Sequence, residues 1–364
     1  MKTIYDVIVI GGGVIGSTIA WHLAKTKRKV LLLERGRLGQ EASSAAAGML
    51  GAELEMNEPG PFFQLCLESR SMYPTFAQEL LEVTGIDIEL TQNGILRLAQ
   101  TEATASSLQK TVAWQKAHGG SATFLPAEYI KELEPTIGNT YGGIWIANDG
   151  NVNAALVARA VGKAASLTAD VLEGTEVYDI TLTNDDVTVH TALQHYRAKQ
   201  IVLANGAFAN RFLSALHMQP TLTSVKGQLL RILPHGSYQL TRTISSAHHY
   251  FVPKRDGSII VGATEEYNSF SHTNTVSGLA QLLGAVQDVF PDFGEATFLS
   301  SWTGLRPLLP TRKPLIGAIA TNPRALVAIG HFRNGILLSP VTATIITSFI
   351  EQQEQPTHHL AFQP

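Results

Sequence analysis

The sequence predicts an α/β protein that combines a parallel sheet, assembled from distant segments, with an α+β region whose sheet is mainly antiparallel. Three observations lead to this prediction. Residues 6–16 join an apolar run to a glycine turn, and a second apolar run, residues 29–33, ends on Glu34. Two later apolar runs, residues 200–204 and 325–329, also lead into glycine turns. Continuous apolar runs of this length are typical of parallel strands that are buried on both faces.

The glycine turn has the spacing of a dinucleotide-binding βαβ unit. Gly11 makes the tight turn, Gly13 lets the backbone approach a pyrophosphate, and Gly16 lets the helix pack closely on the strand. Glu34 lies 21 residues after Gly13, close to the spacing at which an acid meets the ribose hydroxyls. The sequence therefore predicts a Rossmann-like domain. The cofactor contacts predicted here are Gly11, Gly13, Val14, Ile15, Gly16, Glu34 and Arg35.

Composition limits the range of functions. The 364 residues include 27 basic and 30 acidic side chains, without the basic stripe that nucleic acid requires. A single cysteine, Cys66, excludes an internal disulfide and a cysteine-based zinc site, and no metal site is predicted. No stretch reaches the roughly 18 apolar residues of a membrane span. We expect a cytoplasmic protein that acts on small molecules, without nucleic acid or membrane partners.

Apolar periodicity places the remaining elements. Helices are predicted at residues 13–25, 62–82, 154–168 and 275–289, and strands at 94–99, 143–147, 186–191 and 222–232. Tyr250–Pro253 and Ser258–Val261 are predicted to form a hairpin around Gly257. The predicted nucleotide-binding domain comprises residues 1–85, 150–220 and 302–364, and the predicted α+β domain comprises 86–149 and 221–301.

NAD and FAD share the opening motif, so other segments must distinguish them. Small side chains follow the second strand at residues 42–49, where a cofactor can lie against backbone and hydroxyls can donate to phosphate. The cofactor contacts predicted in this segment are Ala42, Ser43, Ser44, Ala47, Gly48 and Met49.

The C-terminal segment also favours FAD. The strand at residues 325–329 leads into a loop and an apolar helix, for which Ser339-Pro340 is a suitable start, although a start one turn earlier fits as well. A helix N-terminus there would favour negative charge, which a flavin gains on reduction and a nicotinamide does not. The predicted contacts are His331, Phe332, Arg333, Asn334, Gly335, Ile336 and Leu337, with Val177, Asn205 and Gly206 from other segments.

Together these segments resemble the D-amino-acid oxidase family of flavoproteins, and more narrowly the glycine oxidases linked to thiamine biosynthesis. The most specific matches are Trp302-Thr-Gly-Leu-Arg-Pro307 and Gly330-His-Phe-Arg-Asn-Gly-Ile-Leu-Leu338. The others are residues 9–16, 43–54, 224–227, 249–253 and 261–264, so that the resemblance spans the chain in order.

The resemblance implies oxidative deamination of glycine, sarcosine or a small D-amino acid. A hydride passes to flavin N5, O2 reoxidises the flavin to give hydrogen peroxide, and the imine yields a 2-oxo acid and ammonia or passes to a thiazole synthase. The resemblance makes Arg306 the clamp for the substrate carboxylate, with Tyr250 beside it and Arg333 close to both substrate and flavin. It also implies a homotetramer.

This chain departs from the family pattern at two places. Glu265 stands where we expect an apolar methionine, and its carboxylate either attracts the substrate ammonium or points outward. The thioether link used by sarcosine oxidases needs a cysteine near residues 302–307, which is absent, so FAD is expected to bind non-covalently.

Two other functions fit the same residues. One is a D-amino-acid dehydrogenase that passes electrons to an acceptor other than oxygen. The other is a non-catalytic flavin-binding protein, which would have no use for Arg306 and Tyr250 beside the flavin.

Overall fold

The computed structural model describes residues 4–183, 185–219, 221–236 and 239–364. Within them the helices are α1 (Val14–Lys25), α2 (Ala42–Ala45), α3 (Pro61–Thr84), α4 (Glu102–Ala117), α5 (Ala127–Leu133), α6 (Ala154–Thr168), α7 (Asn210–Leu213), α8 (Val276–Val289), α9 (Gly335–Ile350) and α10 (Thr357–Leu360). The strands are β1 (Ile4–Ile10), β2 (Val30–Leu33), β3 (Met49–Leu50), β4 (Ile95–Leu98), β5 (Ala122–Leu125), β6 (Gly143–Ile146), β7 (Gly150–Asn151), β8 (Asp170–Leu172), β9 (Val177–Leu182), β10 (Val187–Thr191), β11 (His195–Leu203), β12 (Thr223–Leu233), β13 (Thr243–Ser246), β14 (His249–Pro253), β15 (Ile259–Gly262), β16 (Glu266–Tyr267), β17 (Thr297–Leu308), β18 (Leu315–Ile319) and β19 (Asn322–Ile329).

The first sheet has the strand order β18-β19-β11-β1-β2-β8, with β10 and β9 continuing from β11. Strand β1 pairs in parallel with β11 and β2, and β11 pairs in parallel with β19. The parallel sheet built from distant segments is thus confirmed. Because parallel strands end at the same edge, the loops after β1, β11 and β19 lie together there.

The second sheet has the order β16-β12-β15-β14-β13-β4-β6-β5, and β17 pairs with β12. Its pairs are antiparallel except β13 with β4, which confirms the prediction of a mainly antiparallel sheet. The domain boundaries stay a prediction, and β17 crosses the one at residue 302.

Strand β1 is buried on both faces, as the apolar run predicts. Val7 and Val9 belong to one apolar cluster, together with residues of α1, α3, α6 and α9. Ile8 and Ile10 belong to the cluster on the other face, with Phe212 of α7. The sheet is therefore covered on both sides, and its carboxyl edge is left for the loops.

Helix α9 begins at Gly335, one turn before Ser339, which confirms the earlier of the two predicted starts and not the start at Ser339-Pro340. Pro340 lies within the helix and lacks the N–H that would bond to the carbonyl of Ile336. That carbonyl instead accepts hydrogen bonds from Oη of Tyr73 at 2.5 Å and Oγ of Ser339 at 3.0 Å. A hydroxyl from α3 thus replaces the missing helical bond.

Helix α4 and strand β18 were not predicted. The inward side of α4 includes Ala105 and Gln115 beside Leu108 and Val112, so its apolar pattern is weak. None of the helices in the described ranges is long and apolar enough to cross a membrane.

Tyr73→Phe is expected to lower the free energy of unfolding by about 1 kcal/mol, because it removes one hydrogen bond to the Ile336 carbonyl and leaves the bond from Ser339. Urea unfolding followed by circular dichroism measures the change. Tyr178→Phe is the matched control, since Tyr178 is an exposed tyrosine, and it should leave the free energy unchanged. Equal losses in both variants would contradict the role given to Tyr73.

Candidate functional site

A cavity of about 310 Å³ lies between the carboxyl edge of the parallel sheet and strands β14 and β17 of the antiparallel sheet. Most of the predicted site residues line it. They are Gly11, Gly13, Val14, Ile15, Glu34, Arg35, Ala42, Ser43, Ala47, Gly48, Met49, Val177, Asn205, Gly206, Tyr250, Arg306, His331, Phe332, Arg333, Gly335 and Ile336. The first and last segments of the chain therefore meet at one cavity.

Ser44, Asn334 and Leu337 are predicted contacts that lie behind the cavity lining. The hydroxyl of Ser44 donates to the carbonyl of Gln40. Asn334 directly precedes α9, and the carbonyl of Leu337 accepts from Ser69. These residues support the loops that form the wall.

Glycines bring the backbone segments of this edge into close contact. Gly11 has a φ of +105°, and a Cβ there would lie 2.7 Å from the carbonyl oxygen of Ala204. A Cβ on Gly16 would lie 1.9 Å from the carbonyl oxygen of Gly11, so Gly16 holds the helix against the turn rather than lining the cavity. A larger residue at Gly11 would push the turn away from Ala204, and one at Gly16 would push α1 away from the turn.

The amino end of α1 forms an anion-binding position at the cavity. Gly13 precedes the helix, whose first turn contains no acid. The backbone N–H of Val14 donates to Oγ of Ser43 at 2.9 Å. The free N–H groups and the helix dipole favour a phosphate at this place.

Glu34, directly after β2, is held in place by hydrogen bonds from nearby backbone N–H groups. Its carboxylate accepts from the N–H groups of Gly12 and Gly36, both at 2.7 Å. Arg35 pairs with Glu41 at 2.7 Å, and its guanidinium lies 3.6 Å from the ring centroid of Phe208. An acid fixed in this way offers acceptors to hydroxyl groups.

The small-residue segment after β2 is tied to the antiparallel sheet. Nζ of Lys254 donates to the carbonyls of Ala47 at 2.8 Å and Val152 at 3.0 Å, and Nε1 of Trp302 donates to Ala45 at 2.9 Å. Burial lowers the pKa of Lys254 to about 7. These bonds fix the backbone that lines one wall of the cavity.

Arg306 of β17 and Tyr250 of β14 extend from the second sheet to the cavity. Arg306 lies over Gly227, where a Cβ would be 2.5 Å from Nη2, and its Nη1 donates to the carbonyl of Thr264 at 3.2 Å. Tyr250 lies over Gly262, where a Cβ would be 2.6 Å from Oη. Both side chains depend on a glycine in the strand beside them.

Arg333 is held by two carboxylates. Its Nε lies 3.0 Å from Oε1 of Glu55, and its Nη1 lies 3.3 Å from Oε1 of Glu265. Burial lowers the pKa of Arg333, but the charges of Glu55 and Glu265 outweigh this effect and raise it. Sequence reasoning missed Glu55, because its partner Arg333 lies more than 200 residues away in the chain.

His331 lies at the start of the C-terminal loop and is buried in it. Its Nε2 lies 3.0 Å from Oγ1 of Thr342, and burial lowers its pKa to about 3. The imidazole is therefore neutral at ordinary pH. Gly335 and Ile336, the first residues of α9, also line the cavity, so the positive end of this helix faces it.

One histidine cluster lies outside the cavity. Nε2 of His358 and Nε2 of His359 lie 2.7 and 2.8 Å from Oε2 of Glu68. The sequence predicted no metal site, and these three residues are a set whose atoms lie close enough together to hold an ion. In this structure the contacts join α10 to α3.

Residues 6–349 match the model of the FAD dependent oxidoreductase family. The chain belongs to this family. Its relatives include a glycine oxidase of Geobacillus kaustophilus, 35% identical over 96% of this chain and 94% of that protein. The bifunctional protein ThiO/ThiG of Synechocystis sp. is 37% identical over 100% of this chain and 54% of that protein. The crystal structure of glycine oxidase from Geobacillus kaustophilus superposes with a TM-score of 0.96, at 34% identity, covering 99% of this chain and 98% of that one.

Family membership makes the protein an FAD-dependent oxidoreductase, and the cavity fits that cofactor. Oδ1 of Asn205 is a buried acceptor at the cavity that has no hydrogen-bond partner within the described ranges. The glycine turn leaves room where a Cβ would intrude, and two helix N-termini face the same space. A long, anionic ligand with hydroxyl and N–H groups satisfies these features together.

His331→Asn is expected to reduce the acid sensitivity of the fold. The pKa of His331 is lower in the folded protein than in the unfolded chain, so between about pH 3 and 6.5 the unfolded chain binds more protons. The stability contribution of a neutral His331 is therefore present above pH 6.5 and is lost as the pH falls. The melting temperature of the variant should fall less steeply between pH 7 and 4.

Calorimetry over that pH range provides the test, and His217→Asn at an exposed position is the control. The control should keep the slope of the unsubstituted protein. A His331 variant with that same slope would contradict the assignment of a neutral buried imidazole.

Proposed function

We propose that this protein catalyses the FAD-dependent oxidative deamination of glycine or a closely related small amine acid, such as sarcosine or a small D-amino acid. The observation that carries the proposal is the pair Arg306 and Tyr250, which face the cavity together. A guanidinium binds a carboxylate through two parallel hydrogen bonds, and a tyrosine hydroxyl adds a third. The names of the glycine oxidase relatives support the same substrate class.

In this proposal Arg306 and Tyr250 orient the substrate by its carboxylate and leave the amine end toward the rest of the cavity. Bound FAD would supply the acceptor for the α-hydrogen as hydride, with O2 as the final oxidant and water as the group that hydrolyses the imine. Glycine and D-amino acids would then give a 2-oxo acid, ammonia and hydrogen peroxide, and sarcosine would give methylamine in place of ammonia. Arg333 lies at the same cavity and keeps its charge through Glu55 and Glu265. The antiparallel sheet thus supplies the carboxylate clamp, while the parallel sheet supplies the cofactor walls.

The cofactor contacts follow from the cavity lining. Val14 at the start of α1 and Ser43 of α2 would hold the pyrophosphate, and Glu34 the ribose hydroxyls. The start of α9 would face the end of the flavin that becomes negative on reduction. The cysteine of the chain, Cys66, is buried in α3 and does not line the cavity. Non-covalent binding of FAD is therefore part of the proposal.

The product and the assembly are also part of the proposal. The relative that combines ThiO and ThiG in one protein supports a role in thiamine biosynthesis, in which the imine passes to a thiazole synthase. The homotetramer is proposed from the resemblance to glycine oxidases, and the cytoplasmic location from the sequence. Size-exclusion chromatography with light scattering tests the tetramer.

Peroxide formation in air separates this function from the dehydrogenase. The holoenzyme should release one hydrogen peroxide per amine consumed with glycine, sarcosine or D-alanine. Rapid dye reduction without peroxide would instead identify a D-amino-acid dehydrogenase. A yellow protein that none of these amines bleaches under anaerobic conditions would identify a non-catalytic flavin-binding protein.

Arg306→Met is expected to retain FAD and to lower kcat/KM for glycine about 100-fold, because a charge-assisted pair of hydrogen bonds to the carboxylate is lost. The visible spectrum reports the cofactor, and a peroxide assay reports turnover. Arg159→Met, at an exposed position of α6, is the control and should match the unsubstituted enzyme. Unchanged kcat/KM in the Arg306 variant would overturn the carboxylate clamp.

A further inference from the structure

Two guanidinium groups face one cavity, but their ion pairing differs. Arg333 contacts the carboxylates of Glu55 and Glu265. Arg306 makes no ion pair with any described residue, and its Nη1 donates to the carbonyl of Thr264. Of these two cations, only Arg306 is therefore available to a ligand carboxylate.

Glu265 is held in place by the residues on either side of it. Thr264 accepts from the N–H of Gln228 through Oγ1 at 2.9 Å and donates its own N–H to the Gln228 carbonyl at 3.3 Å. On the other side, Oη of Tyr267 donates to Oε2 of Glu265 at 3.2 Å. The backbone at Thr264 thus orients Arg306, while the next side chain orients Arg333.

The charges around Arg333 disfavour a second substrate carboxylate there. Glu55 and Glu265 both contact Arg333, so two negative charges already face its single positive charge. A second carboxylate at Arg333 would either displace one of these acids or lie beside their negative charges. Displacing Glu55 would leave a partly buried carboxylate without its partner, which is costly.

We propose that Glu265 is a specificity-determining residue that restricts the site to substrates with a single carboxylate. The inference rests on the proposed function and concerns the same cavity. Glu265 acts by occupying Nη1 of Arg333 and by neutralising the charge that this guanidinium presents at the cavity. Selection against a second carboxylate in this way needs no contact with the correct substrate.

Glu265→Gln keeps the size and a hydrogen-bond acceptor but removes the charge. Steady-state kinetics of the holoenzyme can compare a substrate with one carboxylate, glycine, and a substrate with two, iminodiacetate. Iminodiacetate is glycine that carries a second carboxymethyl group on its nitrogen. The ratio of kcat/KM for iminodiacetate to that for glycine should rise about tenfold in the variant. Glu295→Gln, at an exposed position, is the matched control and should leave the ratio unchanged.

A double-substituted protein shows whether Arg333 is the group released. In an Arg333→Met background, Glu265→Gln should no longer raise the ratio, because the cation that would bind the second carboxylate is gone. A gain of the same size in both backgrounds would overturn the assignment to Arg333.

A binding measurement keeps the inference separate from the proposed reaction. Titration of the flavin absorbance with acetate and with malonate compares one and two carboxylates without turnover. Malonate should bind about tenfold more tightly, relative to acetate, in Glu265→Gln. An unchanged ratio would overturn the role of Glu265, whereas absence of turnover with intact ligand binding would overturn the proposed reaction alone.

Discussion

Close backbone contact at the carboxyl edge of the parallel sheet is the constraint on which the rest of the structure depends. The turn at Gly11 lies against Ala204, and Gly16 presses helix α1 onto that turn, with no room for a Cβ at either place. These contacts bring the loops after β1 and β11 together. Dispersion and burial then favour the assembled edge over any arrangement in which the segments separate.

Hydrogen bonds fix the second sheet to a segment that follows strand β2 of the first sheet. Lys254 and Trp302 donate to carbonyls of the segment that follows β2, so the strands that carry Tyr250 and Arg306 are fixed to the cofactor wall. Under the proposed function, the carboxylate clamp and the cofactor walls are thereby held in one orientation. Positioning of this kind supplies much of the rate gain in enzymes that act on small substrates.

Much of the fold was readable from the sequence, because the informative signals are local. The glycine turn, the buried apolar runs and the hairpin around Gly257 each depend on neighbouring residues. The sequence could not decide between the two possible starts of α9, since the partner that compensates for Pro340 is Tyr73 of a distant helix. The pairing of Arg333 with Glu55 and Glu265 was hidden for the same reason: three separate segments form it.

Helix α9 reaches the cavity with its first turn secured by α3. Tyr73 and Ser69 donate to the carbonyls of Ile336 and Leu337, and these residues begin the helix whose positive end faces the cofactor space. A shift of α3 would therefore change the electrostatic field that the N-terminus of α9 produces at the cavity. The reduction potential of a bound flavin would therefore depend on the packing of α3, although no residue of α3 lines the cavity.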